Sequence, residues 1–247
     1  MSDLRQQRTI VVIGATGRQG RGVAQALLNE SWLVRGLVSD PESDRAKQLL
    51  SDLQTPDGRF SLAKGSYYDV PSLLAAFNGA HGVFSMSNDG IPGKLLTEVA
   101  EMEHEVGAGR NVVRAVKEAG VAHFVFSSLP NIAEASGGRF TKVYHMDNKA
   151  AIEKVARAEL DGFTSLIPGE YIHITSLMRN VFLIEVDAVG FFYINLMWPL
   201  YCRLQPDGVV RFCVPVPSTQ PMQWTDPTYD MGTFAAGMSN TTVFFFF

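Results

Sequence analysis

Cysteine is scarce in this chain of 247 residues: only Cys202 and Cys213 are present. Two thiols cannot build a disulfide framework or a four-ligand zinc site. Their scarcity fits a reducing compartment better than secretion. A basic excess is also missing. Lys and Arg number 21 against 25 Asp and Glu, a net charge of −4, and charged residues make up only 19%. Without a basic stripe to neutralise phosphates, direct nucleic-acid binding is not expected. Long uninterrupted apolar runs are lacking too. The most apolar stretch, Val181–Tyr201, carries Glu185, Asp187 and Asn195, which speaks against a membrane span. Behind the polar segment Met1–Arg8 the apolar run is only Ile10–Ile13, shorter than a secretory leader requires. These absences predict a soluble intracellular protein, cytoplasmic or nuclear, without a membrane partner. What the chain does have is 46% hydrophobic residues, ample for a buried core. Its length suits one large domain, or one domain with a small annex.

Short β-rich runs alternate with helical patterns through the first half. Thr9–Ile13 is a continuous apolar run, as a strand buried on both faces requires. Val23, Ala26 and Leu27 follow at helical spacing. Leu33–Val38 reads as a second strand, and Ala46, Leu49, Leu50 and Leu53 mark a short helix. Phe60–Ala63, Gly82–Met86, His123–Ser127 and Phe163–Ile167 supply four more strands. A long helix is predicted from about residue 97 to 119, closed by Gly120, and another from about 148 to 160. The class is α/β, with a doubly wound parallel sheet of six strands between helices. Beyond Pro168 the pattern breaks down. Pro199, Pro206, Pro215, Pro217, Pro221 and Pro227 exclude a long helix or a central strand there. The chain closes on the apolar run Phe244–Phe247, which needs cover to stay soluble.

Gly14-Ala15-Thr16-Gly17-Arg18-Gln19-Gly20 lies between the first strand and the first helix. Three glycines at this spacing allow a tight turn, backbone approach to a pyrophosphate and close helix–strand contact, with a helix N-terminus facing the anion. This segment resembles the NmrA-like family of atypical short-chain dehydrogenase/reductase proteins. So do Ser127-Ser-Leu-Pro130, Tyr144-His-Met-Asp-Asn-Lys149 and Asp226-Pro-Thr-Tyr-Asp230-Met-Gly232, in that order along about residues 10–236. The resemblance implies a Rossmann-type NAD(P)-binding domain over 8–168, taking NADP with NAD as the alternative. It also implies a small substrate subdomain within 169–247, shortened relative to the family.

By position, the resemblance makes Gly14, Ala15, Thr16, Gly17, Arg18, Gln19 and Gly20 the phosphate loop. Ser39 and Asp40 fall where the ribose is selected. Asp40 would accept from a free 2′-hydroxyl, whereas Arg18 and Arg35 would attract a 2′-phosphate or simply face solvent. Gly65-Ser66 stands for the family's Gly-Asp pair near the adenine. Ser87, Asn88 and Asp89 would lie beside the cofactor, and Arg110 sits where relatives carry a cofactor-facing lysine.

Catalysis in this superfamily uses a Tyr-x-x-x-Lys pair, but here His145 and Lys149 are four apart and Tyr144 is one residue out of register. On a helix that offset turns the tyrosine by about 100°. Lys149 and His145 are therefore the candidate proton-handling residues, with cofactor holding and helix initiation as their plain alternatives. Ser128 is a candidate hydrogen-bond donor or a strand-end residue. Glu101, Glu103, His104 and Glu105 suggest a metal set when read linearly, yet neighbours on a helix point apart, so a solvated face is expected and no metal. Phe191, Phe192, Tyr193, Trp198 and Tyr201 could line an apolar pocket or belong to the core.

The family's Gly-aromatic-Tyr-x-x-Asn-Leu segment, which covers the nicotinamide, matches Gly190-Phe-Phe-Tyr193-Ile-Asn195-Leu196 better than Pro168-Gly-Glu-Tyr171. Gly190, Tyr193 and Asn195 thus join the cofactor set. Residues from about 169 to 189 read as an insertion, either a lid or translated intron sequence. The expected function is hydride transfer between NADP(H) and a small apolar organic molecule. A non-catalytic redox sensor acting through a regulatory protein partner is the alternative.

Overall fold

The computed structural model describes residues 8–91, 93–168, 190–192, 202–206, 210–212 and 223–240. In chain order the first elements are β1 (Thr9–Ile13), α1 (Arg18–Asn29), β2 (Leu33–Val38), α2 (Asp44–Asp52), β3 (Phe60–Lys64) and α3 (Val70–Phe77). Next come β4 (Ala80–Met86), α4 (Val99–Met102), α5 (His104–Glu118), β5 (His123–Ser127), α6 (Ile132–Ala135), α7 (Tyr144–Glu159) and β6 (Phe163–Leu166). The later part contributes β7 (Gly190–Phe192), β8 (Cys202–Leu204), β9 (Val210–Phe212), β10 (Gln223–Thr225) and α8 (Tyr229–Asn240).

Six strands form one parallel sheet in the order β3-β2-β1-β4-β5-β6. The expected Rossmann-type architecture is the observed one. Alternation along β1 explains its central place. Ile10 and Val12 enter a core with Ala24, Leu27, Trp32 and Met231, while Val11 and Ile13 enter the opposite core with Phe77, Val112 and Val116. A strand that feeds two apolar layers must lie inside the sheet.

Three helix readings change. α3 was not expected. Its start is favoured by a proline in the first turn, and Leu73, Ala76 and Phe77 are buried beneath it. The long helix over 97–119 divides at Glu103 into α4 and α5, and α4 starts on a capping box in which Glu101 accepts from the Thr97 and Glu98 amides at 2.9 and 3.1 Å. α7 begins at Tyr144, a turn earlier than predicted, and so carries both His145 and Lys149. Gly120 does close α5, in the left-handed region at φ 65°.

In the later region, β7 pairs in parallel with β10, and β8 pairs with β9 antiparallel. α8, from this later region, packs on α1, and its Met231, Ala235 and Ala236 are buried in the first region's core. Phe192 also packs against that core. Tyr193, Asn195, Trp198, Tyr201, the 169–189 stretch and the Phe244–Phe247 run lie outside the described residues.

Candidate functional site

The strand order reverses between β1 and β4. Connections leave these two strands toward opposite faces, so their C-terminal ends open a crevice, the usual ligand position of such sheets. The predicted phosphate loop sits at its mouth. Gly14 adopts φ 75°, and the Gly17 amide donates to the Gly14 carbonyl at 2.9 Å, closing the turn. A Cβ on Gly20 would stand 2.2 Å from that same carbonyl oxygen, so the first turn of α1 can press onto the loop only with glycine there. Gly17 caps α1 without a side chain, and no acidic residue occupies the first turn. The free amides and the helix dipole therefore face the crevice uncompensated.

Within the loop, Ala15 is fully buried and packs beneath β2 beside Gly36, while Thr16, Gly17 and Arg18 are exposed. Gln19 is buried, with its Oε1 lacking a hydrogen-bond partner among the described residues. Ser128, at the end of β5, is fully buried and its Oγ is likewise unpartnered. A buried polar atom without a partner is costly. Two of them around one crevice suit a polar ligand. The glycine cradle, the uncapped amides and these orphaned atoms together fit a dinucleotide.

Ser39 and Asp40, expected at the ribose end, are both exposed after β2. Asp40 Oδ1 accepts from the Glu42 amide at 3.0 Å. Arg35 points elsewhere. Its guanidinium donates to the carbonyls of Ala76 and Asn78 at 2.6 and 3.1 Å, serving the C-terminal end of α3, so the sequence reading of it as a phosphate cation does not hold. Arg18 is exposed and in no ion pair among the described residues. Lys64, opposite Val38 in the β2–β3 register, ends its strand beside Ser39, exposed and equally unpaired. Sequence reasoning missed it because register, not spacing, brings it there.

Ser87, Asn88 and Asp89 follow β4. Ser87 is buried, and its hydroxyl donates to Glu105 Oε1 at 2.6 Å. Asn88 Oδ1 accepts from the Gly90 amide, and the Asp89 carbonyl meets His104 Nε2 at 3.1 Å. His104 Nδ1 in turn meets the Tyr68 hydroxyl at 2.9 Å. Behind the loop, the Tyr67 hydroxyl donates to the Met86 carbonyl at 2.8 Å. Burial raises the pKa of the Tyr67 phenol, and at the more exposed Tyr68 partial desolvation and then the Glu105 carboxylate push in the same direction.

Glu105 corrects the expectation of a solvated acidic face. Its side chain is 0% exposed and it pairs with Lys149 Nζ at 2.5 Å. The amphipathic turn of α5 puts this one carboxylate inward while Glu103 stays exposed. No group of three or more potential metal ligands occurs among the described residues. Arg110 is exposed on α5, in a groove with Asn111, Arg114, Val155 and Glu159 on the α5–α7 face. That groove lies down the helix from the crevice end marked by Glu105. His145 is exposed on the first turn of α7, and Lys149 is half-buried one turn later. Gly190 forms the start of β7, opposite Gln223. No helix of the described residues is long and apolar enough to cross a membrane.

Comparison with known proteins agrees with this geometry. A profile described as the NmrA-like family matches residues 6–242. The NmrA-like family domain-containing oxidoreductase hkm9 of Aspergillus hancockii is 36% identical over 154 residues, which is 61% of this chain and 42% of that protein. The corresponding oxidoreductase FrzB of Cladobotryum sp is 36% identical over 160 residues, 64% of this chain and 44% of that protein. The chain thus spans less than half the length of these curated relatives. Among solved structures, that of NmrA, a negative transcriptional regulator, in complex with NADP covers 92% of this chain and 60% of its own, with 23% identity and a TM-score of 0.64. At that identity the likeness is one of fold.

Proposed function

The chain belongs to the NmrA-like family, and from that premise we propose that it binds NADP(H) in the β1/β4 crevice and acts as an oxidoreductase. NAD is the alternative cofactor, and the substrate is a small, mostly apolar organic molecule. The glycine turn from Gly14 to Gly20 carries the reading, since it presses the first turn of α1 and its free amides against the loop, where an anion can reach the backbone. Gly14, Thr16, Gly17 and Gly20 would hold the pyrophosphate through backbone amides, while Arg18 and Lys64 would meet a 2′-phosphate beside Ser39 and Asp40. Ser87, Asn88 and Asp89 would border the nicotinamide half. When bound, the cofactor supplies a hydride.

The chain's own residues supply orientation and protons. Lys149 has one N–H committed to Glu105, which leaves two donors for the ribose or the reacting oxygen. His145, one turn away and exposed, is open to solvent and can resupply a proton. A second reading, a redox sensor acting on a protein partner, draws support from the same ion pair. A lysine already engaged by a buried carboxylate can hold a cofactor without taking part in turnover.

Calorimetric titration with NADPH, NADP and NADH tests the binding. NADPH consumption is then followed with a panel of apolar carbonyl and enone compounds. Substrate-dependent consumption that Lys149→Ala abolishes, with cofactor still bound, supports the enzyme. Cofactor binding without turnover on any compound supports the sensor, and turnover that survives Lys149→Ala removes the proton role from that lysine.

A further inference from the structure

Resting on the cofactor reading above, we propose that Glu105 is the positioning residue of this site. Its carboxylate clamps the Lys149 ammonium against the end of β4 and so aims the lysine's remaining donors into the crevice. One oxygen does most of the work. Glu105 Oε1 accepts from Lys149 Nζ at 2.5 Å and from Ser87 Oγ at 2.6 Å. The other oxygen is approached by Asn148 Nδ2 at 3.4 Å, and that amide donates to the Met102 carbonyl at 2.8 Å. Three elements of the site, the β4 end, the α4–α5 junction and α7, therefore meet on a single side chain.

Helix packing explains how it reaches. Gly109 lies one turn after Glu105 on α5, and Ile152 lies three residues after Lys149 on α7. A Cβ on Gly109 would stand 2.4 Å from Ile152 Cγ1. The missing side chain lets the helices close until Glu105 and Lys149 touch. A free lysine stem loses rotamer freedom when it is ordered. Here the order exists before any ligand arrives, and Lys149 is only 14% exposed against 0% for Glu105. The arrangement also fixes Ser87, whose one hydroxyl proton goes to Glu105, leaving its lone pairs to the crevice.

Amine acylation measures the clamp without any cofactor. The full chain is treated with acetic anhydride and each lysine is followed by mass spectrometry, with exposed Lys47 as the internal standard. The reagent modifies an amine in proportion to how freely it can be reached. Lys149, only 14% exposed and held by Glu105, is expected to react on the order of tenfold more slowly than Lys47, and Glu105→Gln to free the amine and remove most of that protection. NADPH titration of the same proteins adds a second readout. Glu105→Gln should weaken binding on the order of tenfold, but cause no further loss once Lys149→Met is present.

Unchanged Lys149 reactivity in Glu105→Gln overturns the clamp, as does an equal loss of NADPH affinity with and without Lys149, which marks a merely structural residue. Should Glu105→Gln not fold, Glu105→Asp keeps the charge and shortens the reach, and must produce the same two changes to a smaller degree. A wild-type chain that binds no NADPH while the acylation contrast persists overturns the cofactor reading and leaves the clamp standing.

Discussion

A Cβ added to Gly22 of α1 would stand 1.9 Å from the carbonyl oxygen of Thr228, just before α8. The contact is reciprocal, since a Cβ on Gly232 would stand 2.6 Å from the Gly22 carbonyl oxygen. Two glycines more than 200 residues apart thus set the distance between α1 and α8. That closeness buries Met231, Ala235 and Ala236 against Ala24 and Leu27. The motif from Asp226 to Gly232 therefore has a packing role: the Asp226 side chain accepts from the Thr228 and Tyr229 amides at 2.7 and 2.9 Å and starts the helix that covers α1.

Gly22→Ala should force α8 away from α1, because the obstacle, the Thr228 carbonyl, is backbone and cannot rotate aside. Overpacking of this kind costs about 1–3 kcal/mol. The expected result is a lower midpoint of denaturant unfolding. Gly107→Ala, on α5 with open space around it, should instead be neutral or stabilise by up to about 1 kcal/mol. Equal effects at the two positions would show that α8 does not rest on α1.

Gly20→Ala acts on the loop. Its methyl would meet the Gly14 carbonyl at 2.2 Å, so the turn must open and its amides lose their common direction. NADPH affinity should fall by at least about tenfold, the equivalent of one or two lost charge-assisted hydrogen bonds. Calorimetry of a variant shown to be folded by circular dichroism decides the point.

Lys149→Met leaves a buried carboxylate without its partner. Breaking such a pair costs about 3–5 kcal/mol, whereas replacing both members with neutral side chains is often close to neutral. Unfolding curves should show Lys149→Met strongly destabilised and Glu105→Gln/Lys149→Met largely restored. If the double variant is as weak as the single one, the charge is not the cause.

The opposite end of the sheet carries a pH dependence. His123 Nε2 lies 2.8 Å from Thr164 Oγ1, and His81 stacks on Trp32 with Arg8 nearby. Burial lowers the pKa of both from the ordinary 6.5, with Arg8 adding at His81 and His81 adding at His123. Above about pH 6.5 both folded and unfolded chains hold these rings neutral, so they contribute no pH dependence. Below it the unfolded chain takes up protons first, and stability falls with pH until the folded rings titrate. His81 is the more exposed and weighs less. The unfolding midpoint should hold steady from about pH 8 to 7 and decline from about 6.5 to 5.5, with a shallower decline in His123→Gln. An unchanged slope in that variant assigns the dependence to other groups.

Local pattern made much of this legible. The apolar run at β1, the glycines after it and the alternation of strands and helices all act within a few residues, where sterics and period decide the outcome. Lys149 could be singled out because the Tyr144–Lys149 segment resembles the family's Tyr-x-x-x-Lys pair. Glu105 could not. Beside Glu101, Glu103 and His104 it reads as part of a charged surface, and only the approach of α7 at Gly109 and Ile152 turns it inward. Arg35 fails in the other direction, since a cation near the ribose strand looks useful until α3 presents its carbonyls to it. Lys64 is likewise assigned by register, which no short window contains, whereas Ser128 is already a candidate donor in the sequence and the fold adds only its burial.

The amino-acid sequence by itself determined the α/β class, the six-strand alternation and the glycine turn. Each follows from backbone sterics and hydrophobic period, forces that act over one or two turns of chain. Tertiary structure alone decided which charges are buried and paired, where Arg35 and Arg110 point, and that α8 returns to cover α1. Those outcomes depend on helices distant in sequence coming within van der Waals contact, where a missing Cβ or one dehydrated carboxylate selects the partner.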